Sequence, residues 1–148
     1  MREILFRGKR VDNGEWVYGL PVPVEINTYP TSRIVMVTKW AFDELDAWDF
    51  DFEEVLPETV GQCTGLTDKN GQKIFDGDIV HYVYEPLGDS FWNANQNCVI
   101  EWKDTGFYLN GIMGTNLYAC VSGWLVSIPI GDGKLFEVIG NIHEQGVQ

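Results

Sequence analysis

Basic residues are few in this sequence of 148 residues. Ten lysines and arginines stand against 22 aspartates and glutamates, so the formal net charge is −12 at pH 7. Such a chain repels nucleic-acid phosphates and offers little of the counterion release that drives non-specific binding to DNA or RNA. The charge balance therefore disfavours a general nucleic-acid-binding role.

Cysteine and histidine are also scarce, which removes the common metal and redox motifs. Cys63, Cys98 and Cys120 lie far apart without a Cys-x-x-Cys pair, so the sequence has neither a zinc motif nor a thioredoxin-type motif. His81 and His143 are single histidines without a Ser-His-Asp arrangement, and the sequence has no glycine-rich phosphate loop. From the sequence we expect neither an enzyme nor a cofactor.

Long apolar runs are missing from the sequence as well. The N-terminal residues turn polar by Arg7, which leaves no signal peptide, and no other segment approaches the length of a membrane span. The odd number of cysteines fits reduced thiols. Together these features predict a cytoplasmic protein without membrane contact.

Aromatic residues and glycines are abundant instead. Aromatics make up 14% of the chain and there are 16 glycines, a combination typical of short strands joined by tight turns. Candidate strands cover residues 4–10, 15–20, 33–38, 48–53, 79–84, 98–102, 106–109, 117–120, 124–128 and 136–142. Asn13-Gly14 predicts a hairpin between the first two, Pro21 and Pro23 are expected to end that pairing, and residues 86–97 are expected to form a surface loop. The sequence predicts an all-β fold.

The segment from Thr59 to Val80 combines two turn signals with the start of a strand. Its predicted turn residues are Asp68, Asn70, Gly71, Asp76, Gly77 and Asp78. The carboxylate of Asp68 is expected to accept a hydrogen bond from the backbone amide two residues on, and Asn-Gly tolerates the positive φ angles of a tight hairpin. We interpret all six residues as structural.

Two chemical interpretations of the same segment are weaker. An EF-hand loop counted from Asp68 would place Lys73 at the glycine position and Ile79 at the bidentate glutamate position, so the spacing argues against calcium. Hydrolysis by Asp76, Asp78 and His81 ranks last, because a turn before a strand favours such residues anyway.

Acidic and aromatic residues alternate between Ala41 and Glu58. The candidate partner-binding residues are Asp43, Glu44, Asp46, Asp49, Asp51, Glu53 and Glu54. The period of two from Trp48 to Glu53 predicts a half-buried strand, with Trp48, Phe50 and Phe52 facing the core and the acids facing solvent. The acids either mimic the charge of a nucleic-acid backbone or dock onto a basic host protein, or they only keep an aromatic-rich β-protein soluble and protect an edge strand.

Four stretches of the sequence carry a family signature. They are Phe6-Arg7-Gly8-Lys9, the run from Thr59 to Gly71, Gly77-Asp78-Ile79-Val80, and the run from Phe136 to Glu144. These stretches resemble the YopX family of phage and prophage proteins, whose biochemical function is not established. The resemblance implies an all-β protein encoded by a phage or prophage of a bacterial host, and it assigns no catalytic residue.

The strand pattern after Gly77 resembles that of SH3-like barrels. We expect residues 59–148 to form an SH3-like β-barrel and residues 1–58 to form a small β-subdomain packed on it. Because the aromatic content exceeds what one small core readily hides, the leading hypothesis is a non-enzymatic protein-binding or assembly module that forms a homo-oligomer.

The alternative hypothesis is a nucleic-acid-associated accessory factor of phage replication or regulation. Its positive patch would consist of Arg2, Arg7, Lys9 and Arg10. Phe6 and Trp16 lie close by in the sequence and are suited to stack on bases. The net charge of the chain opposes this alternative.

Overall fold

The structure is a computed structural model that describes residues 4–24, 33–42, 48–84, 94–103, 106–111 and 136–144. In these ranges the chain forms ten strands and no α-helix, which confirms the all-β prediction. The strands are β1 (Phe6–Lys9), β2 (Trp16–Val24), β3 (Arg33–Phe42), β4 (Trp48–Val55), β5 (Gly61–Thr67), β6 (Lys73–Phe75), β7 (Asp78–Tyr84), β8 (Ala94–Lys103), β9 (Gly106–Gly111) and β10 (Phe136–Asn141). A single turn of 3-10 helix, Pro57–Thr59, joins β4 to β5.

The chain divides into two compact units, Met1–Cys63 and Thr64–Gln148. In unit 1 the strands follow the order β4-β3-β2-β1-β5, and the pairings of β1 to β4 in that order are antiparallel. Strand β5 begins in unit 1 and ends in unit 2, where β6 is its neighbour. Unit 2 also holds an antiparallel sheet of order β10-β7-β8-β9. The predicted division after Glu58 stays a prediction.

Unit 1 is organised around Val55, at the end of β4. Val55 pairs with Ile34 of β3 on one side and forms a bridge with Arg10, just after β1, on the other. Two backbone hydrogen bonds flank that bridge, from Val11 N to the Glu54 oxygen at 3.0 Å and from Leu56 N to the Lys9 oxygen at 2.8 Å. The end of β4 therefore contacts both β3 and the end of β1, and the Val55 side chain is buried between them.

Two glycines of unit 1 stand where an added side chain would lie close to a neighbour, tightly at Gly8 and in collision at Gly19. A Cβ atom on Gly8 would lie 3.0 Å from the Val55 Cβ, and one on Gly19 would lie 2.0 Å from the Val37 carbonyl oxygen. The second contact coincides with an irregularity in β3, whose register with β4 shifts between Val37 and Lys39. Gly19 thus allows β2 to approach the bulge of β3 closely.

The pairing of β1 with β2 ends before Pro21 and Pro23, as expected, but strand β2 itself does not end there. Strand β2 continues through both prolines to Val24 and pairs with β3, with Pro21 opposite Met36. Pairing of β2 with β1 stops at Gly19, so beyond that residue β2 is paired through β3 alone in the described ranges. A proline is tolerated in a strand where its nitrogen faces the unpaired side.

Unit 2 holds a cluster of buried hydrophobic residues. It consists of Ile74, Val80, Cys98, Ile100, Phe107, Leu109 and Phe136, with Leu66 and Val138 packed against it. The alternation of β7 and β8 places Val80, Cys98 and Ile100 on one face of the sheet. Strand β8 begins at Ala94, so part of the predicted loop 86–97 is strand, because Ala94 to Asn97 continue the pairing with β7. The candidate strands 117–120 and 124–128 lie outside the described residues.

Candidate interaction surface

The Asp68 carboxylate organises the hairpin between β5 and β6. Its Oδ1 accepts hydrogen bonds from the backbone N–H groups of Asn70 at 2.8 Å and Gln72 at 2.9 Å, and its Oδ2 accepts one from Val138 at 3.1 Å. Gly71 has φ of 81°, as a tight Asn-Gly connection requires. The same buried carboxylate therefore shapes the turn and attaches it to β10.

Burial alone would raise the pKa of the Asp68 carboxyl, since it disfavours the charged form. The three N–H groups, with a smaller contribution from the nearby charge of Lys69, outweigh burial and lower that pKa below its ordinary value. Asp68 is therefore held as an anion by the backbone, and its oxygen atoms are occupied by amides of the chain.

Asp76 and Asp78 flank Gly77 but bond to different parts of unit 2. Asp76 Oδ1 accepts a hydrogen bond from the Trp102 N–H at 2.9 Å. Asp78 is buried; its Oδ2 accepts one from the Phe75 N–H at 2.8 Å, and its Oδ1 accepts one from the Asn141 side-chain amide at 3.3 Å. Two stretches of the family signature, around Gly77 and around Asn141, are thus joined directly.

The residues considered for catalysis bond to different groups of the chain. His81 Nδ1 lies 2.8 Å from the Asn97 side-chain oxygen, its cross-strand neighbour, whereas the Asp76 and Asp78 carboxylates bond to the groups just described. In the described ranges no three His, Cys, Asp or Glu side chains gather as metal ligands would. Cys63 and Cys98 are buried and form no disulfide.

Three of the four described carboxylates of β4 form ion pairs within unit 1. Glu53 lies 3.3 Å from Arg10, Glu54 lies 3.3 Å from Arg33, and Asp49 lies 3.7 Å from Lys39. Arg10 also pairs with Asp12 through two hydrogen bonds, of 2.9 and 2.6 Å. Basic residues of unit 1 therefore neutralise part of the negative charge of β4. Asp43, Glu44 and Asp46 lie outside the described residues.

The expectation that Phe50 and Phe52 face the core is wrong. Successive residues of a strand point to opposite faces, and the face of β4 is set by the buried Val55. Counting back from Val55 in steps of two puts Glu53, Asp51 and Asp49 on the core-bearing side, and puts Phe52 and Phe50 on the other side. The exposure agrees, since Phe50 is 50% exposed and Phe52 is 63% exposed.

The aromatic side of β4 continues across the sheet of unit 1. Cross-strand pairs share a face, and Phe52 pairs with Val37, Val37 with Leu20, and Val35 with Val22. We call this surface the outer face and define it as Tyr18, Leu20, Val22, Val35, Val37, Phe50 and Phe52. Tyr18 is 48% exposed and Val22 is 42% exposed. Exposed apolar side chains therefore lie on β2 as well as on β4, with β3 between them.

The positive patch proposed for nucleic acid is used within the chain. The Arg7 guanidinium lies 4.4 Å from the centre of the Trp16 ring, and the Lys9 ammonium lies 5.2 Å from it, both as cation–π contacts. Arg7 is buried and Arg10 is paired with Asp12, which leaves less charge for phosphates than the sequence indicated. Arg2 lies outside the described residues.

Sequence reasoning missed the outer face as a surface. Alternation in β2 did signal one apolar row, from Tyr18 through Leu20 to Val22. The side on which that row lies depends on pairing through β3, which a single strand does not reveal.

Among the described residues, no helix is long and apolar enough to cross a membrane.

Comparisons with known proteins agree with the fold. Protein EF1440 from Enterococcus faecalis, known from a crystal structure, is similar over 97% of this chain and 96% of its own, with 20% sequence identity and a TM-score of 0.55. That likeness shows a shared fold. No curated protein matches the sequence. The sequence matches the YopX protein family over residues 5–147, nearly its whole length, and the chain therefore belongs to the YopX family.

Proposed function

We propose that this protein is a non-enzymatic module that acts through protein contacts, and that the outer face of unit 1 is the surface on which it self-associates. The observation that carries the proposal is the exposure of apolar side chains of β2 and β4, the two neighbours of β3, on one side of a sheet, with Phe52 the most exposed of them. Contiguous apolar surface of this kind marks interaction sites in soluble proteins.

The distribution of carboxylates permits a second copy of the chain as the occupant of the outer face. Each copy carries a net charge of −12, so two copies associate best where few carboxylates oppose each other. Glu54 is the described carboxylate of β4 on this side, and it is paired with Arg33 at 3.3 Å. Asp49, Asp51 and Glu53 lie on the opposite side of the strand.

Sedimentation velocity at tens of micromolar tests this proposal. We expect the wild-type protein to sediment as a dimer or larger species and Phe52→Ser to shift it toward the monomer, since the variant removes apolar surface from the interface at little cost to folding. The matched control is Ile139→Ser in unit 2, which alters an exposed apolar residue off the outer face. A wild-type protein that is strictly monomeric would rule out self-association through this face.

The setting of the module is part of the proposal. The family resemblance supports a phage or prophage origin, and two buried cysteines without a disulfide fit a reducing cytoplasm. Replication or packaging genes next to the coding sequence would support the phage origin, and a locus remote from any phage gene would count against it.

The finer fold prediction for residues 59–148, an SH3-like barrel, also stays a proposal. Its support is an antiparallel sheet of order β10-β7-β8-β9 together with the neighbouring strands β5 and β6. An NMR structure of the whole chain tests it through the inter-strand contacts that closure of the barrel requires.

A further inference from the structure

The edge of β4 has a defined hydrogen-bonding pattern. In a strand the N–H and C=O groups of one residue point to one side and those of the next residue to the other. The Asp51 oxygen accepts a hydrogen bond from the Thr38 hydroxyl of β3 at 3.2 Å, so Asp51 directs its backbone toward β3. Glu54 and Leu56 direct theirs the other way, toward Val11 and Lys9. By the same alternation, Phe52 directs its N–H and C=O to the edge away from β3.

A ladder begins on this edge and stops. Residues Lys9 to Val11 run antiparallel to Glu54–Leu56 and bond to them. The chain then turns away at Asp12–Gly14, where the Gly14 N–H bonds to the Arg10 oxygen at 3.0 Å and starts the return into β2. In the part of the chain that the structure describes, β4 is the last strand of its sheet. The position beside Phe52 therefore continues a ladder that this chain has already started.

The side chains next to that position differ on its two faces. On one face stand Asp51 and Asp49, the latter 65% exposed and 3.7 Å from Lys39. Asp51 is exposed too, and its carboxylate takes part in none of the ion pairs between described residues. On the other face stand Phe52 and Phe50, both exposed. A strand added here would meet carboxylates on one side and aromatic rings on the other.

This arrangement selects against a second β4 strand. Two copies paired edge to edge would bring Asp49 and Asp51 of one copy close to the same residues of the other, and like charges across a ladder are destabilising. Charged residues on an exposed edge are a common protection against self-pairing. A strand whose alternate residues are lysine or arginine has the complementary charge.

We propose that the edge of β4 binds an extended segment of another protein in which basic and apolar residues alternate, by adding it as a strand antiparallel to β4. Main-chain hydrogen bonds to Phe52 continue the ladder that Lys9 to Val11 begin, the basic side chains lie beside Asp49 and Asp51, and the apolar ones lie beside Phe50 and Phe52. The inference rests on the proposed role in protein contacts. It uses the main-chain edge of β4, which adjoins the outer face and shares Phe50 and Phe52 with it.

A synthetic peptide tests the edge directly. The probe is a capped eight-residue peptide that alternates lysine with valine, titrated into the isotope-labelled full chain and followed by NMR. We expect saturable shifts at the β4 amides and slower hydrogen exchange at the Phe52 amide. Two peptides serve as controls: one with glutamate in place of lysine, and one with the four lysines grouped at one end. Equal binding by the grouped peptide would reduce the interaction to charge attraction and overturn the proposal, as would the absence of binding.

Variants separate this site from the outer face. Phe52→Pro removes an N–H donor that faces the edge and none that faces β3. Asp51→Lys reverses the charge beside the edge. We expect each variant to bind the peptide about tenfold more weakly than the wild type. Val22→Ser alters the outer face alone and should leave the peptide affinity unchanged while it reduces self-association. If Asp51→Lys and Phe52→Pro both fold and bind the peptide like the wild type, the edge is not the site. If Val22→Ser lowers the affinity for the peptide as much as Phe52→Pro and Asp51→Lys do, the peptide binds to the outer face and not to the edge.

Discussion

The two units use their carboxylates in opposite ways. In unit 2, Asp68 and Asp78 are buried and their oxygen atoms accept hydrogen bonds from the chain's own amide groups. In unit 1, the described carboxylates of β4 lie at the surface, and three of the four pair with Arg10, Arg33 and Lys39. A buried carboxylate bonded to amides fixes backbone geometry, whereas an exposed ion pair contributes little to stability and can be exchanged for a partner. The comparison shows carboxylates that fix the backbone in unit 2, and in unit 1 surface carboxylates that suit the protein contacts proposed above.

The strongest test of this comparison is Asp78→Ala. The change leaves the Phe75 N–H and the Asn141 amide without their acceptor in a buried site, and we expect the free energy of unfolding to fall by about 4 kcal/mol. Urea denaturation followed by tryptophan fluorescence measures it. Asp76→Ala is the matched control on the other side of Gly77; its hydrogen bond to Trp102 is exposed, so its loss should cost about 1 kcal/mol. Equal losses in the free energy of unfolding for the two variants would show that burial does not make Asp78 more important to stability than Asp76.

Gly19→Ala probes unit 1 with a somewhat smaller effect. The new methyl group would lie 2.0 Å from the Val37 oxygen, so β2 and β3 must separate at the bulge. We expect a loss of about 3 kcal/mol in the free energy of unfolding, since the obstacle is backbone. Gly14→Ala is the control: φ there is 72°, but nothing lies within 4 Å of the added carbon, so only the strain of about 1 kcal/mol remains. A larger loss in the free energy of unfolding for Gly14→Ala than for Gly19→Ala would contradict the close approach of β2 to the bulge of β3.

The smallest of the three effects depends on pH. Because the pKa of Asp68 is lower in the folded protein than in the unfolded chain, its contribution to stability is present above the unfolded pKa and is lost as pH falls through the folded pKa. At neutral pH we expect Asp68→Asn to lower the free energy of unfolding by about 2 kcal/mol, since the Val138 N–H would face an amide donor. The gap between variant and wild type should narrow below about pH 4. Urea curves at several pH values check this, and a gap that stays constant would contradict it.

Local signals in the sequence were sufficient for the turns and most strands. Asn13-Gly14 and Asn70-Gly71 both place glycine at positive φ between strands, because tight hairpins require that conformation whatever surrounds them. The hydrogen bond from the Asn70 amide to Asp68 follows from the same short-range chemistry. These features depend on residues close in sequence.

Features that depend on distant pairing could not be predicted. The face on which Phe52 lies follows from the burial of Val55 and from its bridge to Arg10, not from the alternation of β4 itself. The bond between Asp78 and Asn141 joins residues 63 positions apart. The ion pair of Arg10 with Glu53 likewise depends on β4 reaching the end of β1. Alternation gives two faces, and only tertiary packing decides which of them is covered.

The placement of β10 has a consequence for the order in which the protein folds. The Val138 N–H donates to Asp68, which lies 70 positions earlier in the sequence, and β10 pairs with β7. Unit 2 must therefore close a long loop before its sheet is complete. Strands β1, β2, β3 and β4 also pair in succession with their sequence neighbours, and the distant contacts of β1 are its pairing with β5 and its bridge from Arg10 to Val55. Since contacts between distant residues form slowly, we expect the pairings of β1 with β2, β2 with β3 and β3 with β4 to form while β7 still lacks one of its two neighbours.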